Sequence, residues 1–171
     1  HLACANDPTH PKNAEQLARF HEARALFPKA KSSLANSAGI FLGGDYHFDI
    51  ARPGCALYGI NPIDGENPMQ HVATLSAPIL QIRTLDRAET VGYGATYSAP
   101  KGAHIAIAAL GYADGLLRCL SNNSFAYVGG QRVPIAGRVS MDMVALDVSS
   151  IPESLLTTET HAEFINKQQT V

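Results

Sequence analysis

Cysteine is scarce in this chain of 171 residues. There are three thiols, Cys4, Cys55 and Cys119, far apart and odd in number. They make neither a disulfide framework nor a CxxC metal or redox motif, and they predict a reducing, cytoplasmic setting. Charged residues are also few, at 16% of the chain, and the formal net charge is −2. With no basic cluster, nothing offers a footprint for nucleic acid. No apolar run reaches the roughly 18 residues that a membrane helix needs. The polar, proline-containing start lacks a signal-peptide pattern. Internal repeats and low-complexity segments are missing. So is an initiating methionine: the chain opens HLACAND and closes NKQQTV, and we expect a piece of a longer protein. What remains is 46% hydrophobic, the composition of one ordinary globular domain or of parts of two.

The pattern changes along the chain. Residues 1–6 read as the end of a strand, and Asp7-Pro8 and His10-Pro11 as a loop. The spacing of Leu17, Phe20, Arg24 and Phe27 predicts a helix over 12–27, stopped by Pro28. A short strand is expected at 32–35, a short helix and loop at 40–50, and a strand or turn at 54–60. Strand, helix and strand at these lengths are βαβ spacing. Residues 62–71 (PIDGENPMQH) turn to proline, glycine and acids, which places a domain boundary there, between 66 and 67. Beyond it the period becomes two. Strands are expected over 72–85, with Pro78 at an edge or bulge, over 104–110 (HIAIAAL), 143–148 and 161–165. A hairpin is expected over 124–136 with its turn at Gly129-Gly130. The stretch 151–160 reads as loop.

Tyr93 lies between Gly92 and Gly94, and Tyr112 follows Gly111 where the 104–110 strand ends. Both phenols are thus expected on turns at the two ends of one strand-and-loop unit, where catalytic groups tend to sit. From spacing alone, a tyrosine beside glycine also fits a ring that merely shields a sheet edge.

The ordered motifs VGYGATYSA, GYADG and GRVSMDM resemble the C-terminal β-domain of the alanine racemase family. HLACAND, SSLANSAG (32–39) and ARPGCALYG (51–59) resemble that family's barrel domain. The resemblance runs to about Ser149. It implies the C-terminal part of a (β/α)8 TIM-like barrel over 1–66, followed by a largely antiparallel β-domain over 67–171. It also implies a pyridoxal-phosphate enzyme that interconverts L- and D-alanine, for peptidoglycan or for alanine catabolism. Pyridoxal phosphate supplies the electron sink that racemisation at the α-carbon needs, and two opposed bases serve the two faces. One base would be Tyr93. A phenol titrates near 10, so it needs a nearby cation or donor to act at neutral pH. The other would be the lysine that carries the cofactor. Lys12, Lys29, Lys31, Lys101 and Lys167 all fall outside the family's lysine motif, so that lysine is expected upstream.

The remaining roles come with the resemblance. His1 would stand near the tyrosine and connect to Arg52, and Arg52 would face the pyridine nitrogen. Because arginine keeps its protons, it would donate there without fully protonating the ring, which would curb side reactions such as transamination. Ser37, Gly54 and Cys55 would hold the phosphate, as small-residue loops with free N–H groups do. The backbone N–H of Met141 would help to hold the substrate carboxylate. Tyr112 and Asp142 would lie near the entrance, with Arg118 a further entrance residue offset by one position. No metal is implied. The family's dimer would share its active sites, with His1, Ser37 and Arg52 from one protomer and Tyr93, Tyr112 and Met141 from its partner.

Without the resemblance, Arg52 reads as a surface arginine before a Pro-Gly turn and His1 as a solvated terminal residue. Asn36-Ser37 reads as a plain turn, Ser140–Asp142 as a turn before a strand, and Tyr58 as a packing residue. A broad-specificity amino-acid racemase and an inactive fragment of the enzyme are the alternatives in function.

Overall fold

The computed structural model describes residues 1–157 and 159–169, and among these the chain divides into two units, His1–Ala73 and Thr74–Gln169. The break falls just after the Pro- and Gly-containing stretch 62–71.

In the first unit, helix α1 spans Lys12–Ala25. Alanines at 14, 18, 23 and 25 favour it. Glu15 in its first turn and Arg24 in its last complement the helix dipole. It ends earlier than the predicted 27, and Phe27 lies outside it, 65% exposed. Leu17 and Phe20 pack on Leu2, Ala5, Leu34 and Ala38. The expected strands at 1–6 and 32–35 do not form. The peptide groups of the first segment are taken up locally, by Asp7 N donating to Cys4 O and by Ala3 N donating to Gln16 Oε1. The second segment is extended, but its one ladder contact is the parallel bridge Asn36–Arg52. A strand needs a partner along its length, and here neither segment has one. Residues 38–46 form two short 3-10 turns, Ala38–Leu42 and Gly44–Tyr46, and 55–58 form a third, closed by left-handed Gly59.

The second unit is a sheet of six antiparallel strands. Its strands are β1 (Leu75–Thr84), β4 (His104–Ala108), β5 (Phe125–Val128), β6 (Gln131–Pro134), β7 (Val144–Asp147) and β8 (His161–Ile165). The order is β6-β5-β8-β1-β4-β7. Ile135, just past β6, bridges Leu146 of β7, and Ala136 N donates to Ala145 O at 2.8 Å, so the two outer strands meet and the sheet closes on itself. Alternate side chains fill the interior, among them Ile79, Ala106, Val128, Val133, Leu146 and Phe164. The β5–β6 turn has positive φ at both Gly129 and Gly130, the geometry a two-residue hairpin prefers. Pro78 is not on an edge. It lies where β1 changes partner from β8 to β4, next to an irregularity between Ile79 and Gln81. There its carbonyl accepts from Ala109 N, and Thr160 O takes the N–H of the following Ile79.

A two-stranded hairpin that the sequence did not announce, β2 (Glu89–Val91) and β3 (Tyr97–Ala99), lies against the barrel. Val91 and Tyr97 pack on a small outer cluster of Leu85, Ala99, Ala103, Ile105, Ala136 and Ala145. Residues 151–157 contain one 3-10 turn, Glu153–Leu155; Thr158 and the last two residues of the expected β-domain lie outside the described ones.

Candidate active site

The expected site residues fall into two sets, one in each unit. In His1–Ala73 the organiser is Arg52. Its backbone N–H donates to Ala35 O at 2.9 Å, which fixes the chain beside residues 33–36. Its guanidinium then donates to Ser33 Oγ and to Leu34 O (3.3 Å), and lies 3.4 Å from His1 Nδ1. The other ring nitrogen of His1 is 3.3 Å from Asn36 Nδ2. Two N–H groups therefore approach one imidazole, which in its neutral form accepts on a single nitrogen. Asn36 is oriented in turn by Gly39 N, which donates to its Oδ1 at 2.9 Å.

Ser37 is buried, and its hydroxyl oxygen accepts from Gly54 N at 2.7 Å and from Ala56 N at 3.4 Å. A hydroxyl used twice as acceptor keeps its proton to give. Gly54 is open: a Cβ there would meet Ser37 Oγ at 3.8 Å and little else. Cys55 is exposed beside it. His1, Asn36, Ser37, Arg52, Gly54 and Cys55 together line a cavity of about 450 Å³. Tyr58 does not pack: it is 64% exposed.

In Thr74–Gln169 the two tyrosines sit on 3-10 turns as expected, Tyr93–Ala95 and Tyr112–Asp114. Tyr93 is 71% exposed. One segment, 137–141, touches both turns. A Cβ on Gly92 would stand 3.2 Å from Arg138 N, and one on Gly94 would stand 3.3 Å from the centre of the Arg138 guanidinium. Two and three residues on, Ser140 O accepts from Tyr112 N and Met141 O from Ala113 N, both at 2.9 Å. Gly111 leaves room for this: a Cβ there would lie 2.1 Å from Met141 O. Tyr112 and Met141 thus share one rim, partly exposed. Asp142, also exposed, follows Met141 on it. The Arg118 guanidinium lies 5.6 Å from the centre of the Tyr112 ring, within cation–π range.

Sequence reasoning missed Gly137 and Arg138 as site-building residues, and it grouped Asn36 with Ser37 in a small-residue loop suited to phosphate, not as a partner of His1. Gly137 and Arg138 stood inside the quoted motif GRVSMDM, whose neighbours alone were given roles. It also missed Tyr97, whose hydroxyl donates to Asp147 Oδ2 at 2.7 Å. Burial, then this hydrogen bond and the carboxylate's charge, push the Tyr97 phenol up to about 12. For Asp147, burial alone acts upward, but the hydrogen bonds from Ser149 and Tyr97 outweigh it and hold the carboxyl below its usual range.

Comparison with known proteins covers both units. The family model described as "Alanine racemase, N-terminal domain" matches residues 1–62, and that described as "Alanine racemase, C-terminal domain" matches 72–171. An alanine racemase of Rhodospirillum rubrum is 53% identical over 156 residues, 91% of this chain and 42% of the relative. A catabolic alanine racemase of Agrobacterium fabrum is 47% identical over 172 residues, all of this chain and 44% of the relative. Among solved structures, the alanine racemase of Bartonella henselae with covalently bound pyridoxal phosphate aligns at a TM-score of 0.87 and 38% identity, over 99% of this chain and 47% of that one. The biosynthetic alanine racemase of Pseudomonas aeruginosa aligns at 0.81 and 36%, over 100% of this chain and 48% of that one. The chain spans less than half the length of the curated relatives it matches. Matched over both of its units, this chain belongs to the alanine racemase family.

Proposed function

We propose that the protein carrying this chain is a pyridoxal-phosphate-dependent alanine racemase, interconverting L- and D-alanine for peptidoglycan supply or alanine catabolism in the cytoplasm. In this reading residues 1–66 are the closing part of a (β/α)8 barrel, and 67–171 belong to the C-terminal β-domain. The parallel bridge Asn36–Arg52 supports the barrel part. The observation that carries the functional reading is the cluster around the 450 Å³ cavity: one arginine tied to one imidazole, beside a hydroxyl and a glycine loop.

The residues present fit the cofactor. The bare space over Gly54, next to the Ser37 proton and the exposed Cys55, is where a phosphate oxygen would sit. Arg52 would donate to the pyridine nitrogen, with His1 behind it. Bound there, pyridoxal phosphate supplies an electron sink for charge at the substrate α-carbon. Tyr93 would move the proton at that carbon on one face, and a lysine outside these residues would serve the other. The Met141 N–H would hold the substrate carboxylate, with Tyr112 and Asp142 at the entrance. The exposed Tyr93, Tyr112, Leu117, Met141 and Met143 fit a face covered by a second copy, so that each site is shared in a homodimer.

The test is conversion of L-alanine to D-alanine by the purified protein and by its Tyr93→Phe variant. Loss of a positioned proton-transfer group costs about 10²–10⁴-fold, and a fall in kcat of that size is expected. A wild-type protein that does not racemise alanine, or a variant at full rate, overturns the reading.

A further inference from the structure

We infer that Tyr97 and Asn122 are positioning residues for the Tyr93 phenol, an inference that rests on the proton-transfer role proposed above. The turn carrying Tyr93 does not hold itself. Gly92 and Gly94 have φ of 77° and 74°, and Ala95, which has a side chain, stands at 51°. That is the left-handed region, which non-glycine residues rarely occupy. Within the turn, one backbone bond runs from Ala95 N to Gly92 O at 3.1 Å. Tyr93 itself projects from the turn with most of its surface in solvent. A flexible turn of this kind would leave the phenol spread over several positions, whereas proton transfer needs it within a few tenths of an ångström of one.

The restraint comes from the flanks. On one side Tyr97 opens β3, its ring packed on the outer cluster of the barrel. Its hydroxyl ends on Asp147 of β7 at 2.7 Å. Asp147 is itself fixed, since its other oxygen accepts from Ser149 N at 3.0 Å and from the Ser149 hydroxyl, and Ser149 Oγ accepts from His104 N at 3.0 Å. The chain leaving the Tyr93 turn is thereby tied to two barrel strands.

Asn122 ties the turn a second time. Its Nδ2 donates to Thr96 Oγ1 at 3.0 Å, and its Oδ1 accepts from Gly137 N at 2.7 Å. Gly137 in turn backs the start of the turn: a Cβ on Gly92 would lie 3.5 Å from its Cα, and a Cβ on Gly137 would lie 2.7 Å from Val91 O. One carboxamide thus brackets both ends of the turn, Thr96 directly and Val91–Gly92 through Gly137. Asn122 adopts φ of 57°, a conformation that asparagine and aspartate tolerate and most residues do not.

The experiment uses three variants and three readouts. Tyr97→Phe deletes one hydroxyl. Asn122→Ser shortens the bridge, and Asn122→Asp restores its length, because the Thr96 hydroxyl can turn to donate to a carboxylate. Hydrogen exchange followed by mass spectrometry should show peptide 90–97 exchanging several-fold faster in Tyr97→Phe and Asn122→Ser, with β4 and β7 unchanged and Asn122→Asp near wild type. Unchanged exchange in 90–97 overturns the inference. In the racemase itself, kcat should fall about tenfold or more with KM retained. The α-deuterium isotope effect should rise for the enantiomer deprotonated by Tyr93 and shrink for the other. A lower kcat with both isotope effects unmoved means general loss of structure, and overturns the positioning role. A protein whose turn loosens as expected but which never racemises alanine sinks the functional reading and leaves the anchoring intact.

Discussion

A guanidinium has five N–H donors and no acceptor, so Arg52 can only donate. Set against a pyridine nitrogen, as proposed, it would leave that atom largely unprotonated and would limit how far the ring draws charge from the substrate. Arg52→Glu reverses this, since a carboxylate there favours a proton on the ring. Racemisation should slow, and 2-keto acid should accumulate from alanine several-fold above wild type, read with a coupled dehydrogenase. No rise in keto acid would remove this role from Arg52.

Tyr97 gives a second prediction at the same scale. Its folded-state value lies above the ordinary 10.0, at about 12. A raised value means that the folded form holds the proton more tightly. The stability this brings is complete below pH 10 and is lost as the pH climbs from about 10 to 12. Asp147 is shifted down, so its share is present above the ordinary carboxylate range and is lost in acid. The alkaline part belongs to Tyr97 alone. Urea midpoints of wild type should fall between pH 10 and 12 more steeply than those of Tyr97→Phe; parallel curves would show that the bond to Asp147 adds no stability.

At the scale of elements, the segment 137–141 joins both tyrosine turns to one support. The tightest point is Gly111, where any side chain would overlap Met141 O. Gly111→Ala must push the 140–142 loop away. The expected cost is about 1–3 kcal/mol of stability and a raised KM for alanine with a smaller change in kcat, because Met141 N–H would be displaced while Tyr93 is not. Thermal melting and steady-state kinetics check both, and an unchanged KM would argue against Met141 as a carboxylate donor.

The same elements mark what could be read in the chain. HIAIAAL shows its strand because apolar and β-branched residues fill a half-buried ladder, and Gly129-Gly130 shows its turn because both residues need positive φ. The β2–β3 hairpin stayed hidden, since ETV and YSA are three residues each and too short for any period. Segments 1–6 and 32–35 are short and lack β-branched residues, and strand formation there depends on partners that sequence distance does not reveal. Among site residues, Tyr93 and Tyr112 were legible through their glycines. The link from Asn36 to His1 and the role of Asn122 were not, because these hydrogen bonds reach residues 35 and 26 positions away. A carboxamide looks the same in sequence whether it faces water or brackets a turn.

For the molecule as a whole, the proposed sharing of sites makes activity a property of the pair. Specific activity of the full protein should drop on dilution, in step with the dimer fraction measured by light scattering, and return on concentration. Equal activity in monomer and dimer fractions would refute the shared site.

The ring of strands in the second unit has a consequence for how the protein is made. β8, at residues 161–165, sits between β1 and β5, pairing Leu75–Pro78 on one side and Tyr127–Val128 on the other. Among the described strands of this sheet it comes last in the chain, and until it arrives β1 and β5 have no shared neighbour. The pairing on both sides of β8 is therefore deferred until residues 161–165 emerge, while the facing edges of β1 and β5 wait open. A ribosome stalled before Ile165 would hold a chain that carries both tyrosine motifs on a ring of strands left open between β1 and β5. Such a chain is a natural client for a chaperone that shields strand edges.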